Sequence, residues 1–157
     1  MMTWYIIAGL ALAWFLWEFL LGYPKADAKY ENLNAKEQLL LIKSAEAFFP
    51  AGGKLPSAKE AGVVAYLDQM LVQLPKQQRI LIRLLFVLIE HGPLIFGPLK
   101  FRTTRLSIEE RTKYFASWES SNLYFRRLAF LSLRSLMTIG YFSCSSVEQS
   151  LTTEVSS

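Results

Sequence analysis

The sequence predicts an all-α chain: an N-terminal transmembrane helix followed by a small bundle of about five helices. Three observations carry this expectation. The chain opens on an apolar run from Met2 to Gly22. Three capping boxes, Asn34 with Glu37, Ser57 with Glu60 and Ser107 with Glu110, mark helix starts beyond it. After each box, apolar residues recur at three- and four-residue spacing, the period of a helix with one buried face. Of the 157 residues, 52% are hydrophobic and only 19% charged, below the roughly 25% of an ordinary soluble domain, so part of the surface should avoid water. The 17 Lys and Arg against 13 Asp and Glu leave a formal charge of +4, which suits anionic lipid or an acidic protein better than nucleic acid. One cysteine, Cys144, precludes an internal disulfide, and one histidine, His91, leaves no pair for a zinc site.

The first run, MTWYIIAGLALAWFLWEFLLG, carries Glu18 as its only charge and would reach about 31 Å as a helix, the thickness of a bilayer's hydrocarbon. Residues 1–23 therefore read as a transmembrane anchor, with Trp4, Tyr5, Trp14, Trp17 and Tyr23 as its boundary aromatics. Glu18 falls about one turn from the polar end, within reach of Lys25. A cleaved signal peptide would want a basic start, a shorter apolar core and a small-residue cleavage site, and the run has none of these. Lys25, Lys29 and Lys36 follow the run closely and no Lys or Arg precedes it. This asymmetry puts the body on the cytoplasmic face of the cell inner membrane; the periplasmic face is the alternative if an exported partner carries the chain across.

Residues 24–34 read as a polar linker and 35–142 as the helical body. Asn34 opens a helix whose Leu39, Leu40, Ile42, Ala45, Phe48 and Phe49 form one apolar face until Pro50 stops it. The loop PAGGKLP reads as a turn rather than a phosphate cradle, since neither preceding strand nor fingerprint spacing accompanies it. Ser57 opens a second helix reaching Leu74, with Ala61, Val64, Leu67, Met70 and Leu71 inward. The third, 76–90, is so continuously apolar from Ile80 to Ile89 that it reads as the central core helix. His91 follows at its C-terminus, where a cationic imidazole would suit the dipole; proton transfer is the functional alternative. The stretch GPLIFGPLKF (92–101) reads as irregular because of its two Gly-Pro steps. It is too apolar for an exposed loop, so Pro93, Leu94, Ile95 and Phe96 become candidates for a partner interface. Ser107 opens the helix bearing Arg111, Tyr114, Phe115 and Trp118, and the last helix spans about 123–142. There Leu123, Phe125, Leu128, Phe130, Leu131, Leu133, Leu136, Met137 and Ile139 read as packing residues. Arg126, Arg127 and Arg134 read either as partners of lipid phosphates or protein carboxylates, or as solvated and internally paired charges. Residues 143–157 read as a flexible Ser/Thr-rich tail.

No nucleophile with its base, metal set or cofactor fingerprint appears, so catalysis by this chain is not expected. The runs AEAFFP (45–50), PSAKEAGVVAYLDQML (56–71), LLFVLIEHGPLIF (84–96), LSIEERTKYFASWESS (106–121) and RRLAFLSLRSLMTIGYFS (126–143) resemble the small, subunit-3-like component of gluconate 2-dehydrogenase. They also resemble the helical region preceding the flavin domain in long-chain alcohol oxidases. The resemblance implies a non-catalytic helical partner of a flavin-dependent dehydrogenase of the glucose-methanol-choline type, with FAD and the substrate pocket on the other chain. The positions it carries over are Pro50, Ser57, Glu60, Ala61, Gly62, Leu106, Glu110, Trp118, Tyr141 and Phe142, as scaffold or interface. Trp118, Tyr141 and Phe142 thus join Pro93 to Phe96 and the three arginines as interface candidates. The periplasmic relatives often begin with a twin-arginine signal, whereas here the first arginine is Arg79. The alternative is a stand-alone membrane-associated helical protein that binds lipid or a lipophilic ligand between its helices.

Overall fold

A computed structural model describes residues 2–20, 23–25, 27, 29–52, 56–97, 101–144 and 147. The described residues form α-helices and one short 3-10 turn, with no strand among them. Each capping box opens a helix. Asn34 Oδ1 accepts the Glu37 amide and Glu37 Oε2 accepts the Asn34 amide, both at 3.0 Å, which starts α2 (Ala35–Phe48) after an N-terminal α1 (Met2–Leu20). Ser57 and Glu60 start α3 (Ala58–Ala61), but Gly62 then takes φ 74°, a left-handed conformation that a Cβ disfavours. The chain restarts as α4 (Val63–Gln73), so the single helix expected from Ser57 to Leu74 is two. The body therefore contains six described helices rather than five: α2, α3, α4, α5 (Lys76–Phe96), α6 (Ile108–Glu119) and α7 (Tyr124–Phe142). The 3-10 turn, Thr103–Arg105, precedes α6.

The Gly92-Pro93 step does not end a helix, contrary to the irregular segment expected there; α5 runs through it to Phe96. Proline at 93 has no amide to give the Ile89 carbonyl, a vacancy that ordinarily costs about 3 kcal/mol in a helix interior. Two side chains fill it. Thr103 Oγ1 donates to the Ile89 carbonyl at 2.6 Å and Tyr114 Oη donates to the same oxygen at 3.2 Å. Gly92 makes room for them, because a Cβ there would strike Tyr114 Oη and stand 2.5 Å from Trp118 Cζ2. Helix continuity across 92–93 is thus supplied by residues on the 3-10 turn and α6.

The central helix is α2, not α5. It touches α3, α4, α5, α6, α7 and the 3-10 turn. Leu40, Leu41 and Ala45 are buried in the core, and Ser44 is small enough to let neighbours approach closely. Its C-terminal end packs by ring stacking: Phe48 lies 4.9 Å from Phe115 at 19°, and Phe49 lies 4.1 Å from Tyr141 at 4°. Buried Arg111 of α6 ties the same region together, donating to the carbonyls of Lys43 at 2.9 Å, Leu106 at 2.6 Å and Thr103 at 3.3 Å. In contrast, α5 buries Phe86, Ile89 and Glu90 on one side and leaves Ile80, Leu81, Leu84 and Val87 exposed on the other.

The segment expected to be a linker is docked where it is described. Buried Asp68 of α4 accepts the amides of Asn32 and Leu33, each at 2.9 Å. Gln38 of α2 accepts the Asp27 amide at 2.7 Å and donates to the Leu33 carbonyl at 2.8 Å. Arg83 of α5 reaches the Asn32 carbonyl at 2.8 Å and the Glu37 carboxylate at 3.4 Å. A segment held from three helices does not lift the body away on a flexible tether.

The described side chains of α1 are all exposed, Trp4, Tyr5, Trp14 and Trp17 among them, and none enters the core. Among the described residues, no helix is long and apolar enough to cross a membrane. The expected transmembrane anchor over 1–23 is therefore not carried by the described structure. The Glu18 side chain, and with it the proposed Lys25 pairing, the loop at 53–55, the second Gly-Pro step at Pro98 and the tail beyond Cys144, Val147 excepted, lie outside what is described.

The helix-through-proline arrangement sets a steric test. Gly92→Ala should lower the unfolding free energy by about 1–3 kcal/mol, the usual cost of forcing a methyl group into a filled core. Denaturant titration followed by helical circular dichroism measures it.

Candidate functional site

Glu90 is the most heavily engaged polar side chain of α5, and it is buried. Its carboxylate accepts Tyr23 Oη at 2.8 Å, Thr104 Oγ1 at 2.6 Å and the Thr104 amide at 3.2 Å. Arg102 Nε, equally buried, stands 3.6 Å from the same carboxylate, and its guanidinium lies 3.8 Å from the centre of the Tyr23 ring. Lys36 approaches that ring from α2 at 5.0 Å. Burial pushes the Glu90 carboxyl above its ordinary pKa even though Thr104, Tyr23 and Arg102 all pull it down. Tyr23 is consequently part of the body and not a free boundary aromatic, since its hydroxyl is spent on Glu90 and its ring on two cations.

His91 is buried inside α5 beside this cluster, not at a helix end. Burial, with Lys36 and Arg102 nearby, lowers its pKa from 6.5 to about 4, so the imidazole is neutral near pH 7. The expected cationic partner of a helix dipole is corrected accordingly. Tyr23, Lys36, Phe86, Val87, Glu90 and His91 border a cavity of about 60 Å³, room for one or two waters rather than for a substrate.

The interface candidates separate sharply by burial. Trp118 is 0% exposed, touching Phe96 edge-on at 6.1 Å and Tyr114 at 5.3 Å, and Tyr141 is 2% exposed, its hydroxyl donating to the Pro56 carbonyl at 2.5 Å. Neither can meet a partner, and Pro93 is buried as well. Leu94 and Phe96 are half-buried, Phe96 packing 5.5 Å from Phe125. Ile95 and Phe142 stay exposed. The arginines are largely committed within the chain. Arg126 lies over Phe96 and Trp118 at 5.7 and 5.3 Å, Arg127 donates to the Ser121 carbonyl at 2.5 Å, and Arg134 pairs with Glu119 at 2.9 Å. Their internal-pairing alternative is what the structure displays.

Half of the residues read as packing on the last helix face outward. Ala129, Phe130, Leu133, Met137, Gly140 and Tyr141 seal the core, with Gly140 set close to Val63 and Tyr66 of α4. On the opposite side Tyr124, Leu128, Leu131, Ile139 and Phe142 make a second apolar stripe, with Leu128, Leu131 and Phe142 each about half exposed, at 50%, 52% and 51%. The signal was present in the sequence as a second set of four- and three-residue steps, 124, 128, 131, 135, 139, 142, interrupted only by Ser135. Beside this stripe an open groove of about 410 Å³ runs between α2, α6 and α7, floored by Phe48, Phe115 and Phe130 and edged by the Glu119–Arg134 pair.

Among the described residues no group of three or more His, Cys, Asp or Glu is placed to hold a metal. Cys144 is half-buried with its thiol donating to the Gly140 carbonyl at 3.1 Å, and burial raises its pKa, the opposite of what activates a nucleophilic cysteine. The chemistry on display is that of surfaces: two apolar stripes and a polar cluster that binds the start of the body to α5. Comparison with protein-family models, curated proteins and solved structures finds no match to the chain.

The depressed His91 pKa fixes the sign of a pH effect. The unfolded chain takes up a proton near pH 6.5 and the folded chain only near 4, so this residue's contribution is intact above 6.5 and is lost as the pH falls toward 4. Glu90, with its raised pKa, acts in the opposite direction, losing its contribution as the pH rises above 4.5. His91→Gln should therefore show a smaller drop in Tm between pH 7 and pH 5 than the parent chain, measured by scanning calorimetry in matched buffers.

Proposed function

We propose that this chain is a non-catalytic accessory subunit that stabilises and positions a flavin-dependent alcohol or sugar dehydrogenase of the glucose-methanol-choline type at the inner membrane. The observation that carries this reading is the outward stripe of α7. A helix whose inner face already completes the core keeps a second row of Tyr, Leu, Ile and Phe outside it for its whole length. Exposed stripes of this kind mark surfaces that another molecule covers. The nearby cations are engaged internally, so the stripe offers an apolar protein partner more than it offers headgroups. The partner's class rests on the resemblance across residues 45–142, and FAD belongs to that partner.

Membrane attachment is the second half of the reading. Residues 2–22 embed in the bilayer, and the apolar side chains described along α1, exposed and unclaimed by the core, support it. Lys25, Lys29 and Lys36 favour the cytoplasmic face, with the periplasmic face as the alternative. Held this way, the dehydrogenase stays close to lipophilic substrates or acceptors. A second reading, a carrier of a lipophilic ligand, is favoured by the aromatic groove between α2, α6 and α7, whose volume lies within the range of small-molecule pockets.

Extraction of the tagged full chain in mild detergent separates the two. The accessory-subunit reading predicts a stoichiometric flavoprotein that bleaches with its substrate, and Leu128→Glu with Leu131→Glu should release it, each costing about 2 kcal/mol or more of binding if central to the interface. The double variant should fold as the parent does, because both side chains lie outside the core. A monodisperse single chain carrying bound lipid or a hydrophobic small molecule overturns the accessory reading in favour of the carrier.

A further inference from the structure

We infer that the outward face of α5 lies on the surface of an anionic bilayer, so that the body rests against the membrane instead of standing off from it. The inference rests on the proposed embedding of residues 2–22. Three observations lead to it, beginning with chain length. Tyr23 is fixed to the body through Glu90 and Arg102, and it lies only three positions beyond Leu20, the last residue of α1. Three residues span at most about 11 Å when fully extended. If α1 is in the bilayer, the part of the body around Tyr23 is at headgroup depth.

Continuity is the second observation. Val87 borders the same small cavity as Tyr23, Glu90 and His91, so the exposed face of α5 begins beside the point where the chain leaves α1. From Val87 it continues toward the helix N-terminus through Leu84, 58% exposed, and Ile80, at steps of three and four. The docked segment 24–34 reinforces the arrangement, since Arg83 of α5 itself holds the Asn32 carbonyl.

Charge is the third. Lys76, Arg79 and Arg83 are exposed on α5, and its one carboxylate, Glu90, is buried among its own donors. An apolar stripe carrying cations and no exposed acid is the composition of a helix that lies in the headgroup layer of anionic lipid. The α7 stripe differs: all three of its neighbouring arginines engage the chain, whereas on α5 Arg83 does so and Lys76 and Arg79 stand exposed at the start of the helix. The two outward faces therefore have different occupants, lipid on α5 and protein on α7.

Site-directed spin labelling of the full chain tests this. With Cys144→Ser as background, a nitroxide is placed at Leu84→Cys, Val87→Cys or, for comparison, Leu128→Cys, and the chain is reconstituted alone into vesicles of phosphatidylcholine and phosphatidylglycerol. Labels at 84 and 87 should collide with oxygen more, and with a water-soluble nickel complex severalfold less, than the label at 128. Lys76→Glu with Arg79→Glu, or vesicles of phosphatidylcholine alone, should return nickel accessibility at 84 and 87 toward that at 128. A chain that incorporates into the vesicles but leaves 84 and 87 as nickel-accessible as 128 overturns the inference while leaving the anchor reading standing. Spin–spin broadening between identical labels at 84 overturns it in favour of a second copy. Failure to incorporate at all sinks the embedding of residues 2–22 and this inference with it, and the two kinds of failure are told apart by vesicle flotation.

Discussion

A carboxylate buried in a helix of mostly apolar residues must be satisfied locally, and the shape of this molecule follows from how Glu90 is satisfied. Its partners come from sequence positions 23, 102 and 104, on either side of α5: Tyr23 and Thr104 donate hydrogen bonds, and Arg102 supplies an opposite charge. Removing any of them would leave a buried charge short of partners, an arrangement that costs more than the lost bond is worth. The cluster therefore gathers the start of the body, the middle of the chain and the 3-10 turn at one point on α5. The turn then delivers Thr103 to the Ile89 carbonyl, which is what lets α5 continue past Pro93 to Phe96. From there Phe96 sits against Trp118 and Phe125, aligning α6 and α7.

With the core closed in this manner, the remaining apolar residues have nowhere inside to go. α2 occupies the centre, and α5 and α7 each present one apolar face inward and another outward. Neither outward face is part of the buried core of the chain, and association is the proposal that accounts for both. The polar groups that could have supported chemistry are used in the frame instead: His91 is neutral and enclosed, Cys144 is tied to a backbone oxygen, and Arg111 holds three carbonyls.

Local signals were the legible part of the sequence. The all-helical class and the three capping boxes are read within four residues of chain, where side chain and backbone determine each other directly. Inward positions such as Leu40, Leu67, Phe115 and Leu133 follow from spacing alone. The misreadings all required a distant partner. Pro93 looks like a helix terminator until Thr103 and Tyr114 are seen to replace its missing amide, and residues 24–34 look like a tether until Asp68 and Gln38 are found holding them. Trp118 and Tyr141 were carried over by resemblance as scaffold or interface, and only their burial against neighbouring helices places them in the scaffold. On α7 the spacing of both stripes was present, but spacing cannot say which one meets the core. The outward set became recognisable only once Ala129, Leu133 and Gly140 were seen against the neighbouring helices.

The central claim is that the outward faces of α5 and α7 are covered when the chain is in its native membrane. Hydroxyl-radical footprinting of the chain in sealed native membranes, set against the same chain purified alone in detergent-free buffer with a solubilising polymer, measures that coverage residue by residue. The account predicts that oxidation of Tyr124, Leu128, Phe142 and Leu84 falls severalfold in the membranes while that of exposed Tyr30-side residues such as Lys29 and Glu31 stays the same. Equal oxidation of the two stripes in both preparations would contradict it.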